Sequence, residues 1–146
     1  MLPELLFDSF LQRVVTRARS AGSGTRQLLY RVDSYQIDLQ IEAGSDPRML
    51  VITGQLLDLK QPEFSGRDVL VVISNLRGQV VLATADQFGE FRKEIGDSGD
   101  LELFFLGFAD HPFTIAIGNP LRRLSKEEGP RLVAESELRN KTGKKT

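Results

Sequence analysis

Residues 35–42 read YQIDLQIE. Tyr35, Ile37, Leu39 and Ile41 alternate without a slip with Gln36, Asp38, Gln40 and Glu42. A period of two is that of a strand with one face toward a core and the other toward water, and a helix cannot separate these residues. Just upstream, RQLLYR (residues 26–31) is the natural hairpin partner across Val32-Asp33-Ser34. Downstream, RMLVITGQLLD (48–58) and DVLVVIS (68–74) are apolar runs of strand length, rich in Val and Ile as expected inside a sandwich. QVVLATA (79–85) and FGEFRKEI (88–95) continue the series. In DLELFFL (100–106) Leu101, Leu103 and Phe105 share a face, and in PFTIAIG (112–118) Phe113, Ile115 and Ile117 do.

Turn chemistry separates these runs, at Gly44-Ser45-Asp46-Pro47, Pro62 to Gly66, Arg77-Gly78, Asp86-Gln87 and Gly96 to Gly99. Short strands at about ten-residue spacing with no helices between them predict an all-β fold, an antiparallel sandwich over residues 23–119. The chain of 146 residues has length for one such domain and not for two.

Two flanks differ from this core. In residues 1–22, Leu6, Phe7, Phe10, Leu11, Val14, Val15 and Ala18 recur at spacings of three and four, which predicts an amphipathic helix, with an extended LLFDSFL (5–11) as the alternative. Pro3 and Glu4 suit its first turn, Arg17 and Arg19 its last, and Gly22 its end. A helix of this length is marginal alone, so its stripe must be buried, and docking on a protein partner or a dimer mate is the expected use of Leu6, Phe7, Phe10, Leu11, Val14 and Val15, with the outer face of its own sandwich as the alternative. On this reading residues 1–20 are separable from the β-domain. Residues 120–146 form a polar tail with eight basic and four acidic side chains, a local balance of +4. Such a stretch reads as solvated and mobile, with a partner or nucleic-acid contact as the alternative.

Composition narrows function mostly by exclusion. The formal net charge of −1 gives no field favouring nucleic acid or an anionic membrane. No cysteine is present, which removes disulfides and thiolate metal sites and suits a reducing cytoplasm. No apolar run approaches the ~20 residues of a membrane span. The N-terminus carries Glu4 and Asp8 and lacks a basic leader, so it does not read as a signal peptide. A cytoplasmic protein is expected, with no cofactor.

GDSG at residues 96–99 is the tetrapeptide that surrounds the nucleophile of chymotrypsin-like proteases. An active serine needs a base, a group that orients the base and an oxyanion hole. His111 is the one histidine, thirteen residues downstream, and Asp100 follows Gly99 where the oxyanion donors should lie. A turn accounts for the same letters, with Gly96 and Gly99 at positive φ and Asp97 and Ser98 capping amides. Asp97, Asp100 and Asp110 would hold calcium only if their loops converged, and no twelve-residue ligand pattern supports it. Phosphate-loop and dinucleotide glycine patterns are missing. A non-enzyme is expected.

The order VITGQLLD, FSGRDVLVVISNLRGQVVLATADQFGEF, GDLELFF resembles the repeat of carboxypeptidase regulatory-like and CnaB-like domains, of the transthyretin-like (prealbumin-like) sandwich class. Its markers here are Gly54 and Asp58, then Gly66, Val69 and Val71, then Thr84, Asp86, Gly89 and Phe91, then Gly99 and Leu101. The upstream FDSFLQ and RQLLYRVDSYQIDLQIE resemble, more loosely, small bacterial proteins that carry this sandwich near sigma-factor or signalling genes. The resemblance implies a non-catalytic platform that presents loops or edges to a protein partner, here in a bacterial intracellular regulatory assembly. The alternative is an accessory domain of a secreted or surface assembly, carbohydrate-associated ones included. Surface CnaB domains often cross-link a strand Lys to a late Asn. Lys60 and Asn119 supply the letters, but Lys60 falls in the Gln61-Pro62 loop, beyond the strand.

Overall fold

A computed structural model describes residues 2–11, 24–64 and 67–121. Among them are nine strands: β1 (Glu4–Asp8), β2 (Thr25–Val32), β3 (Tyr35–Ala43), β4 (Met49–Asp58), β5 (Leu70–Asn75), β6 (Val80–Thr84), β7 (Glu90–Gly96), β8 (Leu101–Leu106) and β9 (Phe113–Ile117). They form two antiparallel sheets. Sheet A has the order β1-β2-β3-β4-β7 and sheet B the order β6-β5-β8-β9.

Alternation decides which side chains meet. Ile37, Leu39 and Ile41 of β3 are fully buried, and Leu28, Leu50, Ile52, Leu56 and Ile95 join them from the rest of sheet A. Val71 and Ile73 of β5, Leu101, Leu103 and Phe105 of β8, and Phe113, Ile115 and Ile117 of β9 face them from sheet B, and the two sets make one core. Leu103 stands opposite Ile73 on one side and Ile115 on the other. Aromatic rings thread this interior: Phe105 stacks on Phe113 at 5.0 Å, Phe91 meets the edge of Phe105 at 6.4 Å, and Tyr35 packs on Phe108 at 4.8 Å. These contacts tie β7 and β3 of sheet A to β8, β9 and their connecting loop.

The loops sort to two ends. At the first lie the β2–β3 turn, where Asp33 takes a positive φ of 56°, the exit of β4 and the β8–β9 turn. At the second, Asn75 closes the β5–β6 hairpin. Its Oδ1 accepts the amides of Arg77 and Gln79, both at 3.0 Å, and its Nδ2 donates to the Gly96 carbonyl at 3.1 Å. A buried amide with donors and acceptors engaged fixes the hairpin against the end of β7.

The N-terminal helix expected over residues 1–22 is corrected in its first part. Residues 4–8 form a strand paired to β2, with a bulge between Leu5 and Phe7. Residues 9–11 are helical, and Asp8 Oδ1 accepts the Phe10 amide at 3.0 Å in the manner of an N-cap. The cap is therefore Asp8, and Pro3 precedes a strand that Glu4 begins. The competing signal that prevails is long-range: Asp8 forms a buried ion pair with Arg26, at 2.7 Å, which fixes β1 along β2. The remainder of the helix, with Val14, Val15 and Ala18, and the tail beyond Leu121 lie outside the described residues.

Candidate interaction surfaces

Ser98 and His111 sit at opposite ends of β8. Ser98 precedes its first residue, Leu101, and His111 follows its last, Leu106. Six strand residues span about 20 Å, so the two side chains cannot form a catalytic pair in this fold. Gly99 has the positive φ that the turn reading requires, at 90°. Gly96 does not: it ends β7, its amide donates to Gln79 Oε1 and its carbonyl accepts from Asn75. The same separation divides Asp97 and Asp100 from Asp110, and Asp100 Oδ1 accepts the Asn119 amide at 3.0 Å. Lys60 borders the first end and Asn119 the second, which parts the cross-linking letters as well. Among the described residues no three His, Cys, Asp or Glu side chains group as metal ligands. No helix among them is long and apolar enough to cross a membrane.

An open cleft of about 640 Å³ lies at the first end, around Tyr35, with Asp33, Asp58, Asp110, Arg31 and Lys60 on its walls. Partial desolvation, then the carboxylates Asp58, Asp110 and Asp33, push the Tyr35 phenol above its ordinary 10.0. The polar groups here largely serve turns. Asp58 Oδ1 accepts the Lys60 amide and Arg31 Nε donates to the Asp33 carbonyl. The cleft is polar, wide and of mixed charge.

The outer faces of the two sheets differ in chemistry. Sheet A turns Arg31, Asp38, Glu42, Glu90, Arg92 and Glu94 to water. Sheet B presents Leu82, Val72 and Phe104 in one cross-strand row, flanked by Leu70, Leu106, Val80 and Ala116, and Glu102 is the one ionisable side chain on the strands of that face. Leu82 is 55% exposed and Phe104 37%. The sequence carried a signal for this face. A strand of an antiparallel sandwich buries one side, so the unbroken apolar runs 69–73 and 80–83 must place half their side chains outside.

The two edges of sheet A contrast as well. On β7, Lys93 stands between the inward Phe91 and Ile95 and is itself exposed, a charge that discourages strand addition. On β1, Leu5, Leu6 and Phe7 are 42, 45 and 36% exposed, and Leu11 beyond it is exposed as well. The bulge at Leu6 bends this edge away from regular pairing, so it offers side chains rather than a backbone ladder. Of the residues expected to bind a partner, Leu6, Phe7 and Leu11 are thus outward, whereas Phe10 is 3% exposed, its ring under the Arg26 guanidinium at 4.7 Å. No protein-family model matches the chain, and neither does any curated protein or solved structure.

Proposed function

We propose that the chain is a non-catalytic interaction module that binds protein in a bacterial intracellular regulatory or signalling assembly, built on a Greek-key sandwich of the carboxypeptidase regulatory-like, CnaB-like type. In support of the family reading, the marker residues Gly54 and Phe91 are cross-strand partners. Asp86 Oδ1 accepts the amides of Phe88 and Glu90, and Gly89 takes a positive φ of 77° in the same turn. Gly66 lies outside the described residues.

The observation that carries the functional reading is the run Leu5, Leu6 and Phe7, held in the open on a bulged edge strand whose next residue, Asp8, is anchored in a buried ion pair. Large apolar side chains kept rigid and exposed are the raw material of a contact that buries them. The module is expected to be cytoplasmic and to need no cofactor.

The test replaces Leu6 and Phe7 together by Glu, both already at the surface, so the fold should persist by far-UV circular dichroism. Sedimentation of the native and substituted proteins over a wide concentration range tests self-association. Cross-linking in the native host, followed by reconstitution from purified components, tests a different protein. Loss of the complex in the substituted protein is the expected result. A native protein that is monomeric throughout and yields no reconstituted complex sensitive to the substitution would overturn the proposal.

A further inference from the structure

Arg26, at the start of β2, holds two distant parts of the chain in one buried cluster. Its Nε and Nη2 donate to the two carboxylate oxygens of Asp8, at 3.0 and 2.7 Å. Its Nη1 donates to three successive carbonyls, those of Gly118, Asn119 and Pro120, at 3.1, 3.1 and 3.3 Å. The carbonyls converge because Asn119 takes a positive φ of 45°, which curls the chain, and Asp100 Oδ1 fixes the Asn119 amide from the other side. Phe10 roofs the guanidinium, and the Arg26 side chain keeps 10% of its exposure. The guanidinium fork thus divides between β1 and the turn that follows β9.

We propose that Arg26 couples the two ends, so that seating of β1 and closure of the turn at residues 118–121 are one cooperative event. If Asp8 withdraws, a buried cation is left with carbonyl dipoles and no counter-ion, and the route to water for it runs through release of the turn. If the turn opens, water reaches the guanidinium and screens its attraction to Asp8, which weakens the hold on β1. Coupling of this kind is reciprocal by thermodynamic necessity. A molecule that drew β1 off the sheet would therefore loosen the turn after β9, and a load on that turn would loosen β1. The coupling does not depend on what β1 binds.

Native-state hydrogen exchange on the full chain reads both ends at single residues. The Phe10 amide, bonded to Asp8, reports β1, and the Asn119 amide, bonded to Asp100, reports the turn. The Ile73 amide in the middle of sheet B serves as the reference for global opening. Asp100→Asn weakens the turn alone, and its telling effect is remote: the Phe10 amide should exchange about ten-fold faster relative to Ile73. Asp8→Asn should accelerate Asn119 by a similar factor. In an Arg26→Met background the remote effects should vanish while the local ones remain. If Arg26→Met does not fold, Arg26→Lys keeps the charge without the fork and should reduce the remote effects in the same way. A Phe10 rate unmoved by Asp100→Asn, or remote effects that survive replacement of Arg26, would overturn the coupling.

Discussion

Gly54→Ala tests the packing between β4 and β7 more sharply than any truncation. Gly54 is opposite Phe91 in the β4–β7 register, and a methyl group there would overlap the Cε2 and Cζ atoms of the ring, with Cδ2 at 3.0 Å. Ordinary contact begins near 3.4 Å. The ring is buried, at 4% exposure, and it meets the edge of Phe105 at 6.4 Å, itself stacked on Phe113. Overpacking of a filled core costs about 1–3 kcal/mol, and for a buried ring in an aromatic cluster the upper end applies. About 3 kcal/mol corresponds to a fall of roughly 10 °C in Tm for a domain of this size. Phe91→Leu alone removes ring volume and should cost about 1–2 kcal/mol, but with Ala at 54 it also relieves the overlap. The double variant should therefore be more stable than the sum of the singles by at least about 1 kcal/mol. Urea unfolding followed by far-UV circular dichroism measures all four proteins. Gly54→Ala within about 0.5 kcal/mol of the parent, or strict additivity, would refute the packing argument.

Leu103→Ala, in the middle of β8 and fully buried, should lose about 2–5 kcal/mol by urea unfolding; a smaller loss would mean that the site collapses around the gap. Deleting residues 1–20, which the sequence pattern presents as separable, should instead lower Tm markedly. It leaves the Arg26 charge without Asp8, a loss of the order of 3–5 kcal/mol, and an unchanged midpoint would refute the anchoring role of Asp8. The Tyr35 phenol has its pKa raised in the folded state, so between its unfolded and folded values the native protein holds a proton that the unfolded chain has lost. Stability from this source is fully present below the ordinary 10.0 and falls as pH rises through the folded value. Tyr35→Phe should flatten that alkaline fall, measured as Tm against pH. Ser98→Ala should change stability by no more than about 1 kcal/mol, and a fluorophosphonate probe should leave Ser98 unlabelled; labelling would mean a nucleophile.

Where a strand buries one face, its letters already display the architecture. Ile37, Leu39 and Ile41, Leu101, Leu103 and Phe105, and Phe113, Ile115 and Ile117 all point as their alternation requires, because burial acts residue by residue along the strand. The N-terminus was legible only in part. LLFDSFL fits a helical stripe and a strand equally well, and the choice falls to Arg26, eighteen residues beyond Asp8, whose role no local period encodes. Phe10 likewise belongs to the helical stripe by spacing and to the ion-pair cluster by tertiary position. The case of Gly96 is similar: two glycines flank a turn, yet only Gly99 takes a positive φ, while Gly96 ends β7 with its amide bonded to Gln79 Oε1, a contact no local pattern encodes. The apolar face of sheet B was visible as unbroken runs of Val and Leu, once each strand is granted a single buried side.

The path of the chain between the sheets has a kinetic consequence. β4 is separated along the chain from its neighbour β7 by β5 and β6 of the opposite sheet, and β8 returns to pair with β5. Most pairings join sequence neighbours, but β4–β7 and β5–β8, which tie the hairpins into the two sheets, close long loops whose entropy must be lost first. Such a chain should fold as a single slow unit, on the order of milliseconds to seconds rather than microseconds. During that interval, at the ribosome or after dilution from denaturant, the uncharged strands FTIAI and VVLAT are open to neighbouring chains. The rate of first folding, as much as final stability, will govern how much of this protein reaches its native state.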